Sequence, residues 1–228
     1  MTQNNLGLAL SDQADRTEGT KGAELLAQAV TAYRSALEVR TREQLPQAWA
    51  RTQDNLGNAL SDQADQTEGP KAAELLAQAV TAFRSALEVY TRQELPKDWA
   101  ETQNNLGAAL RDQADRTEGT KGAELLAQAV SACRSALEVY TRQELPKDWA
   151  ETQNNLGAAL KDQAARTEGP KGAELFAQAV IAYRRALEVY SAEAFPLFHE
   201  KTEKQLKECE SLLTQAKLKL NKVKQRSQ

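Results

Sequence analysis

The eighteen residues QELPKDWAETQNNLGAAL stand at 93–110 and again, unchanged, at 143–160. The identity runs further, so that 85–110 and 135–160 match at every position. A diverged copy, REQLPQAWARTQDNLGNAL, occupies 42–60, and the chain opens on MTQNNLGLAL. The other half of the pattern, TEGTKGAELLAQAVTAYRSALEV at 17–39, returns with small changes from 67, 117 and 167. A fixed interval of fifty residues therefore governs the chain. At such a period, one copy cannot bury its apolar face alone and must stack on its neighbours. The repetition also argues against an enzyme. A catalytic site needs different residues in different roles at one place, and near-identical copies supply the same residues repeatedly.

Each repeat reads as two helices. In the third copy the first runs from about Pro96 to Ala114. Proline suits a first helical position, where its missing N–H costs nothing, and Asp98 and Glu101 place negative charge near the positive helix end. Trp99, Leu106 and Leu110 share one face, with Gln103 and Ala114 beside them. Gly107, at the edge of that face, returns at 7, 57 and 157. A helix-interior glycine costs about 1 kcal/mol against alanine, so its recurrence predicts that another helix passes close there. The TEG turn follows, and a second helix is predicted from about Lys121 to Arg142. Leu125, Leu126, Ala129, Val130, Cys133, Ala136, Leu137 and Tyr140 cover nearly half of it, more than one neighbour can bury. Glu124, Gln128, Arg134 and Glu138 take the other side.

The motif NLG, a leucine three residues on, then A-x-x-x-Tyr-x-x-Ala-Leu, resembles a tetratricopeptide repeat. Here it is carried by Leu106, Gly107, Leu110, Ala129, Cys133 (Tyr33, Phe83 and Tyr183 in the other copies), Ala136 and Pro146. The DWAxTQNNLG opening looks most like the long-repeat, kinesin-light-chain-like relatives. The period differs, fifty residues against the family's thirty-four. The resemblance implies an all-α solenoid, a right-handed superhelix of antiparallel helix pairs, with a groove lined by the first helix of each pair. It implies binding of a protein or peptide in that groove. Residues 1–196 would form four repeats, the first truncated at its N-terminus, and 197–228 a capping helix with a basic tail.

Among such similar copies the differences point to where recognition lies. On the first helices they fall at 51, 101 and 151 (Arg, Glu, Glu), at 4, 54, 104 and 154 (Asn, Asp, Asn, Asn), at 8, 58, 108 and 158 (Leu, Asn, Ala, Ala), and at 11, 61, 111 and 161 (Ser, Ser, Arg, Lys). At 100° per residue these positions share one face, opposite Trp99 and Leu106. The candidate partner-binding residues are Asp54, Asn58, Glu101, Asn104, Arg111, Glu151, Asn154 and Lys161. The amides can bond a ligand main chain, and Arg111 and Lys161 can hold a carboxylate. Drift on a solvated face is the competing explanation. Gln103 and its equivalents, near the apolar side, are expected to hydrogen-bond between neighbouring repeats. Trp49, Trp99 and Trp149 are expected to pack rather than to stack a ligand. The DQAD segments at 12–15, 62–65 and 112–115 read as solvated helix ends.

The remaining features narrow the partner class. Net charge is −3, with +5 on residues 201–228 and −8 on the rest. That tail lacks aromatics for base stacking and reads as a solvated helix end, so neither nucleic acid nor membrane is expected. No apolar run approaches a membrane span, and the polar opening does not read as a secretory leader. Cys133 and Cys209 show no disulfide pattern, which fits a reducing cytoplasm. With one histidine, His199, and no Cys–His cluster, no metal or cofactor is expected. From 197 the pattern breaks: His199 replaces the tryptophan and Lys207 the glycine. The stretch reads as a cap over the last repeat. Leu206, Cys209, Leu213, Ala216, Leu220 and Val223 also fit a heptad seam for self-association or a partner helix. At the other end, a missing proline–tryptophan opening is expected to leave an open apolar edge, a second route to a homo-oligomer.

Overall fold

The structure is a computed structural model that describes residues 2–17 and 19–226. Those residues form nine α-helices and no strand. The chain divides into two compact units, Met1–Thr117 and Glu118–Gln228. The first holds α1 (Gln3–Ala14), α2 (Thr20–Val39), α3 (Pro46–Asp65), α4 (Pro70–Ala86) and α5 (Pro96–Asp115). Each packs on the next, and α3 also touches α1 and α5. The second holds α6 (Gly119–Ala136), α7 (Pro146–Ala165), α8 (Gly169–Leu187) and α9 (Pro196–Arg226). There too each packs on the next, and α7 touches α9. Each unit is therefore an all-α, solenoid-like stack, the class that the period predicts.

Local chemistry sets the helix boundaries. Pro46, Pro96 and Pro146 open α3, α5 and α7 at the first helical position. The turns before the second helices hold Gly19, Gly69, Gly119 and Gly169 at φ of 66–72°, a left-handed conformation that a side chain would strain. The second helices end sooner than the expected Arg142. In α6 the last regular residue is Ala136, whose carbonyl then accepts from both Val139 N (3.0 Å) and Tyr140 N (2.9 Å). That tightened turn carries Tyr140 inward, where it is buried. Arg40 holds the corresponding place in the first repeat. There α2 runs on to Val39, which is 71 % exposed.

The core follows the expected pattern, with one change in how it closes. Leu126, Ala129, Cys133 and Ala136 are buried, as are Leu106, Leu110 and Ala114. The NLG glycines Gly7, Gly57 and Gly157 each face an aromatic ring of the partner helix rather than that helix's backbone. A Cβ built on Gly57 would lie 2.6 Å from Phe83 Cε1, and one on Gly157 would lie 2.9 Å from Tyr183 Cδ1. The ring occupies the space that a methyl would need. The tryptophans pack as expected, half-buried beside Tyr90 (Trp49 and Trp99) and Tyr190 (Trp149).

α9 lies along α8 and closes the last pair. Cys209 is fully buried, and its thiol donates to the Phe176 carbonyl at 3.6 Å. Burial pushes that thiol up to about 11. Leu206, Leu213, Ala216 and Leu220 of the heptad-like seam are half-buried, and Leu218 is exposed. The seam is thus turned largely onto the chain itself, as a cap requires. The side chains of Val223, Lys224 and Arg226 lie outside the described residues.

Candidate functional site

The first helices carry two kinds of polar residue, and the structure separates them. One kind points between repeats. Thr52 Oγ1 lies 2.9 Å from Asn4 Oδ1, Thr102 donates to Asp54 Oδ1 at 2.8 Å, and Thr202 donates to Asn154 Oδ1 at 3.1 Å. The same joint thus recurs between α1 and α3, α3 and α5, and α7 and α9. Thr52, Thr102, Thr152 and Thr202 are all buried, as are Asn4, Asp54 and Asn104, while Asn154 is half-buried. The 4, 54, 104, 154 series is therefore not a solvated floor. Its arc borders the covered side of the helix, and at Asn4, Asp54 and Asn154 the next first helix reaches over it.

Asp54 is the one acid in that series, and the joint alters its chemistry. Its carboxyl is pushed up to about 7, first by burial and then by the carboxylates of Glu101 and Asp98, with the Thr102 hydrogen bond pulling the other way. The glutamines do not make the joint. Gln53 and Gln103 are half-buried, and Gln153 is buried with Oε1 lacking a partner among the described residues. The threonine one position earlier does what was expected of them. Its signal was in the sequence: threonine is a poor helix former, yet it recurs at 2, 52, 102, 152 and 202. The first repeat adds a donor, Arg40 Nη1, 2.9 Å from Thr52 Oγ1.

The second kind stays at or near the surface. Glu101 and Glu151 are exposed, and Asn58, Arg111 and Lys161 are half-buried. Both cations already have anionic neighbours. Arg111 reaches Asp112 Oδ1 at 3.8 Å and Asp115 Oδ2 at 3.9 Å. Lys161 reaches Glu208 Oε1 of α9 at 3.3 Å and Asp162 Oδ1 at 4.0 Å. Ala158 of the same series is buried. The structure therefore brings Arg111 together with the DQAD aspartates in the first unit, and Lys161 with the cap in the second.

The DQAD segments interact more than a fully solvated helix end would. The Asp62 carboxyl is pushed up to about 6 by partial loss of water and then by Asp15 and Asp65. Asp112 is raised by burial and by Asp65 and Asp115, against the pull of Arg111 and Arg116. Among the described residues no group of three or more His, Cys, Asp or Glu side chains is placed to hold a metal ion. No described helix is long and apolar enough to cross a membrane. No family model matches the chain, and no curated protein is significantly similar to it.

Proposed function

We propose that the chain is a non-catalytic, tetratricopeptide-like scaffold that binds a segment of another protein across the exposed side of its first helices. One observation carries this reading. The polar residues that the repeats share are turned inward to join neighbours, while most of the positions at which the repeats differ stay at the surface. Surface residues that vary along a regular array suit the reading of one extended ligand. In the first unit the ends of α3 and α5 carry four aspartates, Asp62, Asp65, Asp112 and Asp115, against two arginines, Arg111 and Arg116, so a matching segment carries lysine or arginine there. The test is capture from lysate with wild type and a variant carrying Asn58→Ala, Glu101→Lys, Arg111→Glu, Glu151→Lys and Lys161→Glu, matched in helicity. A partner held by wild type and lost by the variant supports the reading. Identical captured sets for both proteins reject it.

A second reading is self-assembly through α1. Leu6 and Leu8 are exposed there, at 38 % and 47 %, whereas Leu56, Leu106 and Leu156 are buried at the position of Leu6. Light scattering distinguishes the two: mass that rises with concentration and becomes fixed in Leu6→Glu favours assembly.

A further inference from the structure

The turns after α4 and α8 are each closed by a buried tyrosine. The two are Tyr90 in the first unit and Tyr190 in the second, each more than nine-tenths buried. Their surroundings differ. The Phe198 ring is stacked on Tyr190 with centroids 5.1 Å apart and planes 26° apart. Phe195 meets the same tyrosine edge-on at 5.6 Å. A hundred positions earlier, beside Tyr90, stand Leu95 and Asp98. No ring replaces Phe198 there. What remains is an open cavity of about 530 Å³, walled by Tyr90, Leu45, Pro46, Ala48, Arg51 and Asp98.

The α3 wall has changed as well. Where α7 carries Asp148 and Glu151, α3 carries Ala48 and Arg51. Arg51 makes no ion pair or hydrogen bond among the described residues. The Tyr90 hydroxyl also has no hydrogen-bond partner among them, although the residue lines the cavity. Burial, with the nearby carboxylates of Asp98 and Asp54, pushes the phenol up, so it remains a donor at any ordinary pH.

We infer that this cavity is a docking niche for one aromatic side chain of a protein partner, the place that Phe198 fills from within the chain in the second unit. The partner's ring packs against Tyr90 and the apolar walls of Leu45, Pro46 and Leu95. Its main chain meets Arg51 and the Tyr90 hydroxyl as donors to carbonyl oxygens, and Asp98 as an acceptor for N–H. One aromatic anchor in a fitted pocket can dominate the binding of a short segment. The niche lies at the starts of α3 and α5, whereas Arg111 and Lys161 lie toward the ends of their helices. It therefore stands or falls apart from binding across those residues.

The test is an NMR titration with the blocked peptide acetyl-Gly-Phe-Gly-amide and its counterpart with alanine in place of phenylalanine. The niche predicts saturable shifts at Tyr90, Ala48 and Arg51 with the aromatic probe, and binding weaker by about tenfold or more with the alanine probe. Asp98→Phe, which copies the natural plug of the second unit, weakens the aromatic probe by about as much. Tyr90→Phe, which keeps the ring and removes the donor, weakens it by a few fold. Arg111→Glu leaves it unchanged, which separates the niche from the first-helix face. Non-saturable shifts, equal binding of the two probes, or full binding by a folded Asp98→Phe protein would each overturn the inference.

Discussion

The contact between α3 and α5 and the contact between α7 and α9 are the same joint built twice. In both, a threonine of the later helix bonds an Asx side chain of the earlier one, and a tyrosine closes the adjoining turn. Three of the differences between them bear on their chemistry. The acceptor is Asp54 in one and Asn154 in the other, residue 98 is aspartate where 198 is phenylalanine, and residue 51 is arginine where 151 is glutamate. The backbone joint tolerates all three changes. One makes the contact sensitive to pH, and the other two leave a niche open. A repeat can thus vary its chemistry without altering how it stacks, provided that the inward bond survives.

The largest effect expected from converting one joint into the other is at Asp54. Its folded pKa of about 7 lies above the ordinary 3.8, so the folded state binds that proton more tightly than the unfolded chain. The contribution is fully present below about pH 4 and is lost as pH rises through about 7. Asp54→Asn keeps the acceptor and removes the charge. It is expected to flatten this decline and to add on the order of a few kcal/mol at about pH 8, measured by urea unfolding across pH. Thr102→Val strikes the same joint from the donor side. It is expected to cost about 1–3 kcal/mol, because it leaves a buried acceptor unbonded.

Gly57→Ala comes next, in the same unit. The added methyl collides with the Phe83 ring, and overpacking of about 1–3 kcal/mol outweighs the helix-propensity gain of about 1 kcal/mol. Phe198→Asp opens the second niche. It is expected to cost about 1 kcal/mol by thermal unfolding, since the lost ring is stacked but 47 % exposed. The smallest effect belongs to Arg142→Ala, which removes the exposed 2.6 Å pair with Glu188 and should cost less than about 1 kcal/mol.

Much of this fold was legible because periodicity and punctuation agree. Proline marks where α3, α5 and α7 begin, glycine marks the turns, and the apolar stripes of 99–114 and 125–140 mark what is covered. The site was less legible, for a geometric reason. A helical wheel gives the direction of a side chain but not how far a neighbouring helix overlaps it. Arg51 and Asp54 share one arc, yet one lies outside and the other is capped by Thr102. The early end of α6 escaped prediction because Leu137 and Tyr140 continue a helical stripe in sequence, while the tightened turn carries the tyrosine inward instead. Neither the cavity at Tyr90 nor its plug at Tyr190 was visible, since each requires residues from three elements to be seen together.

The claim on which these comparisons rest is that position 54 serves the joint between repeats rather than the surface. A carbon-detected NMR titration of the Asp54 carboxyl tests it most directly. A buried acid bonded to Thr102 predicts a midpoint of about 7. A midpoint near the usual value of about 4 would place Asp54 in water and contradict the joint.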